Sequence, residues 1–252
     1  MLELGAGAGR NTPRYHGFDR IVLLDYSLSQ LQQAQARLGK DSRYIYVAAD
    51  IYHLPFAAGL FDAATMIRTL HHMADVKLAL HQVRRSMKPG GVFVLEFANK
   101  CNIKAILRYW LRRQSWNPFS LEPVEFVELN FDFHPRYVRS HLLENQFIIQ
   151  RQLTVSHFRL PVLKKILPFK WLVAMDAVAQ LTGNWWQLTP SVFIRSQADR
   201  TSSMAQKGAF FSCPECGSTV LEETEASIAC KNCSLRWSKQ DGIYDFRRPV
   251  ME

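Results

Sequence analysis

From Met1 to about Ser196, short apolar runs alternate with longer stretches of helical period. Such alternation restricts a chain to a mostly parallel sheet with crossover helices on its faces. The strand candidates are Met1–Leu4, Arg20–Asp25, Tyr44–Asp50, Ala63–Ile67, Val92–Ala98, Phe147–His157 and Ser191–Ser196. Between the second and third, Ser27 or Ser29 caps a helix in which Leu28, Leu31 and Ala34 or Gln35 share helical spacing, and Gly39 ends it. A further helix is predicted over Asp75–Met87, and the Lys88-Pro89-Gly90-Gly91 turn breaks it before the fifth strand. A long insertion, about Asn99 to Asp132, then interrupts the pattern before a helix starting at Pro135. Excursions of that length usually serve a function. With 252 residues, 48% of them hydrophobic, the chain can bury a core without disulfide staples.

Three features coincide at the carboxyl ends of the first three strands. Gly5, Gly7 and Gly9 follow the first. Glycines there allow a tight turn and a close backbone approach to a ligand, and a helix after them would direct its N-terminus at a negative group. Arg10 stands where a dinucleotide fingerprint needs its third glycine, and no GK[ST] follows, so neither NAD nor a nucleoside triphosphate is indicated. Asp25 ends the second strand, where a carboxylate can accept from both hydroxyls of a ribose. Asp50 ends the third, where it can accept from an adenine amino group, with Ile51 as an apolar wall. Either acid alone reads equally well as a strand end or helix cap; together with the loop they outline one crevice.

Four of the five cysteines cluster near the C-terminus, while Cys101 stands apart. Cys213, Cys216, Cys230 and Cys233 form two C-x2-C knuckles, the spacing of a closed tetrahedral S4 set for structural zinc, with Gly217 suited to the turn after the first. Two redox pairs are the alternative, but no thioredoxin-like βαβ unit surrounds them. The expected organisation is an α/β domain over residues 1–196, a polar linker over 197–208, and a zinc-ribbon module over 209–252 that is too small to fold on an apolar core alone.

LELGAGAGR, the terminal Asp of IVLLDYS, AADIYHLPF, FDAATMIRTLHHM and RSMKPGGVFVLEF resemble, in order and spacing, the motifs of class I S-adenosylmethionine-dependent methyltransferases, in particular the type 11 branch that includes quinone-biosynthesis C-methyltransferases. The resemblance is dense over about the first hundred residues. It implies a doubly wound seven-stranded sheet with an antiparallel last strand and S-adenosylmethionine as cofactor. It further implies that Glu3, Gly5, Ala6 and Gly7 line the methionine moiety, Asp25 the ribose, Asp50 and Ile51 the adenine, and Arg68 the cofactor side of the fourth strand. Family members usually carry helices before the first strand, so an N-terminal cover is expected to be missing here. The cysteine segment resembles, more loosely, the Trm112-like zinc module that elsewhere activates methyltransferases of RNA or protein substrates.

For the acceptor, a small or amphipathic molecule is expected from the type 11 resemblance; RNA or a translation factor is the enzyme alternative, and a non-catalytic binding protein of the same fold is the alternative outside enzymes. His71 and His72, after the fourth strand, are the candidate general bases, with His134 a weaker one. In the insertion, a helix predicted over Asn102–Gln114 puts Ile103, Leu107, Trp110 and Leu111 on one face and Lys104, Arg108 and Arg112 on another. It suits a membrane surface, an anionic substrate or RNA as readily as it suits plain solvent. The net charge of +9 divides into +10 before Gln197 and −1 from Gln197 onward, so an anionic partner is expected to meet the catalytic domain. Trp171, Met175 and Val178, with Trp185 and Trp186, read as core or pocket lid. The N-terminus has no secretory leader pattern, and the uncharged run Ala177–Ile194 is interrupted by Gly183, Asn184 and Pro190, so a cytoplasmic location without a membrane span is expected.

Overall fold

The computed structural model describes residues 1–158, 165–201 and 204–250; residues 202–203 of the predicted linker and 251–252 of the predicted module lie outside them. In chain order the elements are β1 (Leu2–Leu4), β2 (Ile21–Asp25), α1 (Leu28–Leu38), β3 (Tyr44–Ala48), β4 (Phe61–Met66), α2 (Val76–Ser86) and β5 (Met87–Ala98). The insertion follows with α3 (Ile103–Trp110), β6 (Val124–Val127) and β7 (Asn130–Asp132). Next come α4 (Pro135–Glu144), β8 (Phe147–Val155), α5 (Phe169–Ala179) and β9 (Ser191–Ala198). The cysteine module supplies β10 (Leu221–Glu223), β11 (Ser227–Cys230), β12 (Arg236–Gln240) and β13 (Ile243–Asp245). Two compact units can be distinguished: Met1–Met66, Leu78–Phe93 and Ala198–Glu252 form the first, Ile67–Lys77 and Val94–Gln197 the second.

In the first unit β1 pairs parallel with β2 on one side and β4 on the other, and β3 pairs parallel with β2. All four strands therefore end on the same edge, which places Gly5, Asp25 and the residues after Ala48 side by side. Leu2, Leu4, Ile21–Leu24 and Val47–Ala48 are buried, as expected of strands covered on both faces. Leu31 and Ala34 of α1 close one face over Ile21, Leu23 and Tyr46. The Ser27 hydroxyl accepts from the Gln30 N–H and Gly39 terminates the helix, as predicted. The ribbon strands continue this sheet in the order β10-β11-β12-β13-β3, with Ile243, Tyr244 and Asp245 of β13 in parallel register with Tyr46, Val47 and Ala48. The sheet consequently has four more strands than the seven expected. Ile243 joins the core beneath α1, and Phe211 stacks on Phe56, so ribbon side chains share the first unit's apolar interior.

Two local expectations are corrected. No α-helix follows the glycine loop: only eleven residues lie between Gly9 and β2, and they make the single 3-10 turn Thr12–Arg14 with Pro13 inside it. Lys88-Pro89-Gly90-Gly91 belongs to β5, which begins at Met87 immediately after α2. A side chain at Gly91 would crowd the backbone there, its Cβ 3.0 Å from the Lys88 carbonyl oxygen and 3.1 Å from that of Phe61. The segment after β9 is clipped to the first unit: the buried Arg84 guanidinium pairs with Asp199, and the Ala205 N–H donates to the Gly59 carbonyl at 3.0 Å.

In the second unit β9 lies between the latter part of β5 and β8. Helix α3 is shorter than predicted: Asn102 caps it through Ala105 N–H, and Arg112, with φ 55°, has left the helix. Its buried residues are Ala105 and Ile106, not the stripe containing Leu107 and Trp110. The rest of the insertion folds back as the antiparallel β6–β7 hairpin, which was not among the strand candidates. Helix α5 is mostly exposed: only Leu172 is buried, while Trp171, Val178, Trp185 and Trp186 face solvent instead of forming core. Among the described residues no helix is long and apolar enough to cross a membrane.

Candidate active site and metal centre

The three glycines have left-handed backbone, with φ of 65°, 53° and 66° at Gly5, Gly7 and Gly9. At Gly9 a side chain would also strike α1, its Cβ lying 2.9 Å from Leu38 Cδ1 and 3.2 Å from Ala34 Cβ. The loop closes on itself through Gly9 N–H to Ala6 O, and the Gly7 N–H donates to Asp25 Oδ2 at 2.8 Å. Asp25 Oδ1 accepts from the Ser27 N–H, also at 2.8 Å. The carboxylate is thereby fixed between the glycine turn and the start of α1, and each oxygen retains a lone pair for a further donor. Asp50 caps the 3-10 turn Ile51–His53 by accepting from the Tyr52 N–H at 2.9 Å, and Ile51 is buried behind it. Glu3, Gly5, Ala6, Gly7, Asp25, Asp50 and Ile51 thus all fall within one unit, at the ends of adjoining parallel strands or in the loop after them. A tight glycine turn, its Ala6, Gly7 and Gly9 N–H groups held internally, beside a twice-anchored carboxylate with free lone pairs suits a ribose-bearing ligand.

Glu3 is buried in β1. It accepts from the Thr12 hydroxyl at 2.6 Å, and Tyr15, whose phenol oxygen accepts from Thr65, lies next to it. Burial pushes the Glu3 carboxyl up to about 7, against the lowering effect of the Thr12 and Tyr15 hydrogen bonds. Thr12 and Tyr15 escaped sequence reasoning because nothing in RNTPRY marks a residue that turns inward. Since the folded-state value lies above the unfolded 4.5, the folded chain holds the additional proton between 4.5 and about 7. The contribution of Glu3 to stability is fully present below that window and is lost as pH rises through it, by up to about 3 kcal/mol. Glu3→Gln keeps an acceptor for Thr12 without the titration. Urea unfolding at about pH 5 and about pH 8 should therefore show a smaller decline for the variant than for the unsubstituted chain; equal declines would clear Glu3 of that role.

Beside Asp25 the ribbon contributes a wall that the sequence did not announce. Tyr26, Asp245, Arg247 and Arg248 line a cavity of about 350 Å³. Asp245 holds Arg247 through two bonds, Oδ1 accepting from Nε at 2.8 Å and Oδ2 from Nη2 at 2.6 Å, and the guanidinium carbon lies 5.9 Å from the Tyr26 ring centroid. In the knuckles, the Cys213 and Cys233 sulfurs are 3.6 Å apart, as are those of Cys216 and Cys230, and all four ligand atoms lie within 4.8 Å of one another. Four sulfurs at the usual Zn–S length of about 2.3 Å around a tetrahedron are separated by about 3.8 Å, so the set fits zinc. Gly217 and Ser234 occupy corresponding left-handed positions after the two knuckles, with φ of 74° and 63°. The Cys216 N–H points at Cys213 Sγ from 3.4 Å, a backbone donor toward a thiolate ligand.

Arg68, His71 and His72 belong to the second unit. Arg68 has left-handed backbone, φ 57°, held by its N–H donating to Glu96 Oε2 at 2.7 Å; the other oxygen of Glu96 accepts from the Ser191 hydroxyl. The His71 and His72 rings lie 4.1 Å apart, and burial, aided by His72 and Arg68, pushes His71 down to about 4. His72 Nδ1 meets the Leu129 carbonyl at 2.9 Å, so that nitrogen carries the proton and Nε2 bears the lone pair of the neutral ring. His134 uses Nδ1 to cap α4, accepting from the Arg136 N–H at 3.1 Å. Asp132, at the end of β7, was missed: burial raises it to about 6, although Arg108 and Lys100 oppose the shift. Its strand packs against the His71–His72 turn.

Residues 2–95 match the type 11 methyltransferase-domain family. A demethylmenaquinone methyltransferase from Thermobifida fusca (strain YX) is 36% identical over 103 residues, 39% of this chain and 44% of that protein. The chain spans about half or less of the curated relatives it matches. Among solved structures, the complex between the Haloferax volcanii Trm112 methyltransferase activator and a methyltransferase aligns with a TM-score of 0.54 at 16% identity, covering 79% of this chain and 81% of the other. An S-adenosylmethionine-dependent methyltransferase from Mesorhizobium loti gives 0.52 at 17% identity, covering 78% and 89%. At such identities the structures speak for the fold alone. The strand order and the solved structures agree on a class I S-adenosylmethionine-dependent methyltransferase fold, within which residues 2–95, with the glycine loop and its acids, match the type 11 methyltransferase-domain family.

Proposed function

We propose that the chain transfers a methyl group from S-adenosylmethionine to a small or amphipathic acceptor. The observation that carries this reading is the Asp25 carboxylate, held by Gly7 and Ser27 N–H beside the glycine loop. The name of the Thermobifida relative, a demethylmenaquinone methyltransferase, favours an acceptor of the quinone kind over a macromolecule. S-adenosylmethionine supplies, when bound, a methyl carbon made electrophilic by its sulfonium. The chain's own task is then mainly to hold and orient. Asp25 takes the ribose hydroxyls, Asp50 the adenine amino group against Ile51, and Glu3 with Gly5, Ala6 and Gly7 surrounds the methionine end. We assign Arg68 to the cofactor side of the fourth strand, its backbone fixed by Glu96. An acceptor hydroxyl or carbon acid loses its proton to His72 Nε2, while His71, whose proton affinity is depressed, stays neutral and packs against it. The four cysteines hold one structural zinc as thiolates, a use of cysteine that suits a reducing compartment.

Calorimetric titration of the zinc-loaded protein with S-adenosylmethionine should show saturable binding, and a deletion strain should lack one methylated lipid-soluble metabolite. No heat of binding by folded, zinc-loaded protein would leave only a non-catalytic role. A second reading, methylation of RNA or a translation factor with the fused ribbon as docking element, draws on the ribbon and on the +10 of residues 1–196. Loss of a methylated RNA nucleoside in the same strain would select it. Once a substrate is identified, His72→Gln is expected to lower kcat by about a hundredfold if its proton must be removed, and His71→Gln by much less; equal rates for both variants would exclude a base at this turn.

A further inference from the structure

The insertion between β5 and α4 carries apolar side chains that its own fold leaves in water. In α3 the buried face is Ala105 and Ile106, whereas Ile103, Leu107 and Trp110, with Leu111 just beyond, are between 48% and 67% exposed. At the tip of the β6–β7 hairpin, Phe126 and Val127 are exposed as well, but between the exposed Glu125 and Glu128, so α3 and not the hairpin offers the face suited to anions. Internal contacts make this a built surface: Tyr109 of α3 meets Phe119 edge to face at 6.3 Å, and Trp116 meets Phe126 at 5.6 Å. Below them the buried Lys100 ammonium donates to the Ser120 hydroxyl at 2.9 Å and to the Glu122 carbonyl. Large apolar side chains grouped in this way on an ordered surface generally mark a contact.

Charge identifies the occupant. From Asn99 to Leu121 the sequence contains no acidic residue, and Lys104, Arg108, Arg112 and Arg113 are all exposed in or just after α3. Aliphatic side chains flanked by cations with long apolar stems match the boundary between acyl chains and anionic headgroups, where the stems lie along the hydrocarbon and the cations reach the phosphates. An RNA strand would meet the cations but leave Ile103, Leu107 and Leu111 in water. We propose that the insertion is a peripheral docking surface for an anionic lipid bilayer, with α3 lying in the plane of the interface. Docking rests on the insertion alone and stands apart from the methyl-transfer reading; if both hold, it brings the chain to the phase in which an amphipathic acceptor resides.

The test is co-sedimentation of the full zinc-loaded chain with vesicles of phosphatidylcholine alone or mixed with phosphatidylglycerol, in the absence of S-adenosylmethionine. Binding to the mixed vesicles that weakens with added salt is expected. Leu107→Glu with Trp110→Glu should abolish it, and Arg108→Gln with Arg112→Gln should lower partitioning into the mixed vesicles about tenfold or more. All four side chains are exposed, so thermal melting of the variants should match that of the unsubstituted chain and separate lost docking from lost folding. The proposal is overturned if the unsubstituted chain stays in the supernatant, if the Leu107 and Trp110 variant sediments equally well, or if the chain is retained by RNA at the same ionic strength and not by vesicles.

Discussion

Asp25→Ala should weaken S-adenosylmethionine binding by about a hundredfold or more while leaving the sheet folded. In the unsubstituted chain the carboxylate accepts from Gly7 and Ser27 N–H at 2.8 Å each, so it sets both the shape of the glycine loop and the entry to α1. Truncation leaves two backbone donors to find water and, on the proposed binding mode, also removes the acceptor for two ribose hydroxyls. Hydrogen bonds to a charged group contribute about 1.5–3 kcal/mol each, and the loss of two corresponds to at least a hundredfold in affinity. Asp25→Asn gives an informative intermediate. Its amide keeps one oxygen but offers a donor where Gly7 or Ser27 also donates, so one of the two anchors must break. Calorimetry on both variants, with circular dichroism to verify the fold, reads the order directly: unsubstituted chain strongest, Asn intermediate, Ala weakest. Affinity retained by the Ala variant would mean that the ribose lies elsewhere and that Asp25 serves only the loop.

That aspartate was legible in the sequence because a strand leaves its mark on both sides of it. IVLLD is an unbroken apolar run that must be buried on both faces, and its first charged residue has to emerge where the strand ends. The same logic found Gly5 and Asp50, and it found the cysteine knuckles because metal ligation depends on short, fixed spacings. Where the controlling contact lies far away in sequence, the reading failed. Lys-Pro-Gly-Gly looks like a turn until β5 continues through it, with Gly90 N–H directed at the Asp199 carbonyl. Helical period grouped Ile103, Leu107, Trp110 and Leu111 correctly, but period gives a face and not its direction, and the packed face proved to be that of Ala105 and Ile106. Glu3 became an acid with a raised proton affinity through burial, which outweighs the opposing hydrogen bonds from Thr12 and Tyr15, two polar residues in a loop without period. Parallel pairing of β13 with β3 had no local signature at all, because DGIYDF reads equally well as the last strand of a free-standing ribbon.

That pairing makes zinc removal the second large perturbation. The ribbon strands are three to five residues long, and the buried side chains that they offer, Ile228, Trp237 and Ile243 with Phe246 beyond, are few for a module of this size. In small metal-staplied modules the binding free energy of zinc, about 10–16 kcal/mol in zinc-finger peptides, is effectively their folding free energy. A strong chelator, or Cys230→Ser, is therefore expected to unfold β10–β13, expose Trp237 and leave β3 as an unpaired edge prone to aggregation. Zinc release should run in parallel with the loss of near-ultraviolet circular dichroism and a lower Tm. A chelated protein that keeps both signals, under reducing conditions that prevent the sulfurs from oxidising, would show that the apolar contacts suffice. Zinc loss should also reach the cofactor crevice without any cysteine touching it. Asp245 fixes Arg247 against Tyr26, the residue directly after Asp25, and that prop disappears with β13. Chelation should accordingly weaken S-adenosylmethionine binding, and Arg247→Ala should reproduce a several-fold part of that weakening with zinc content unchanged. If Arg247→Ala leaves affinity untouched, the ribbon acts on the crevice through the strand pairing alone.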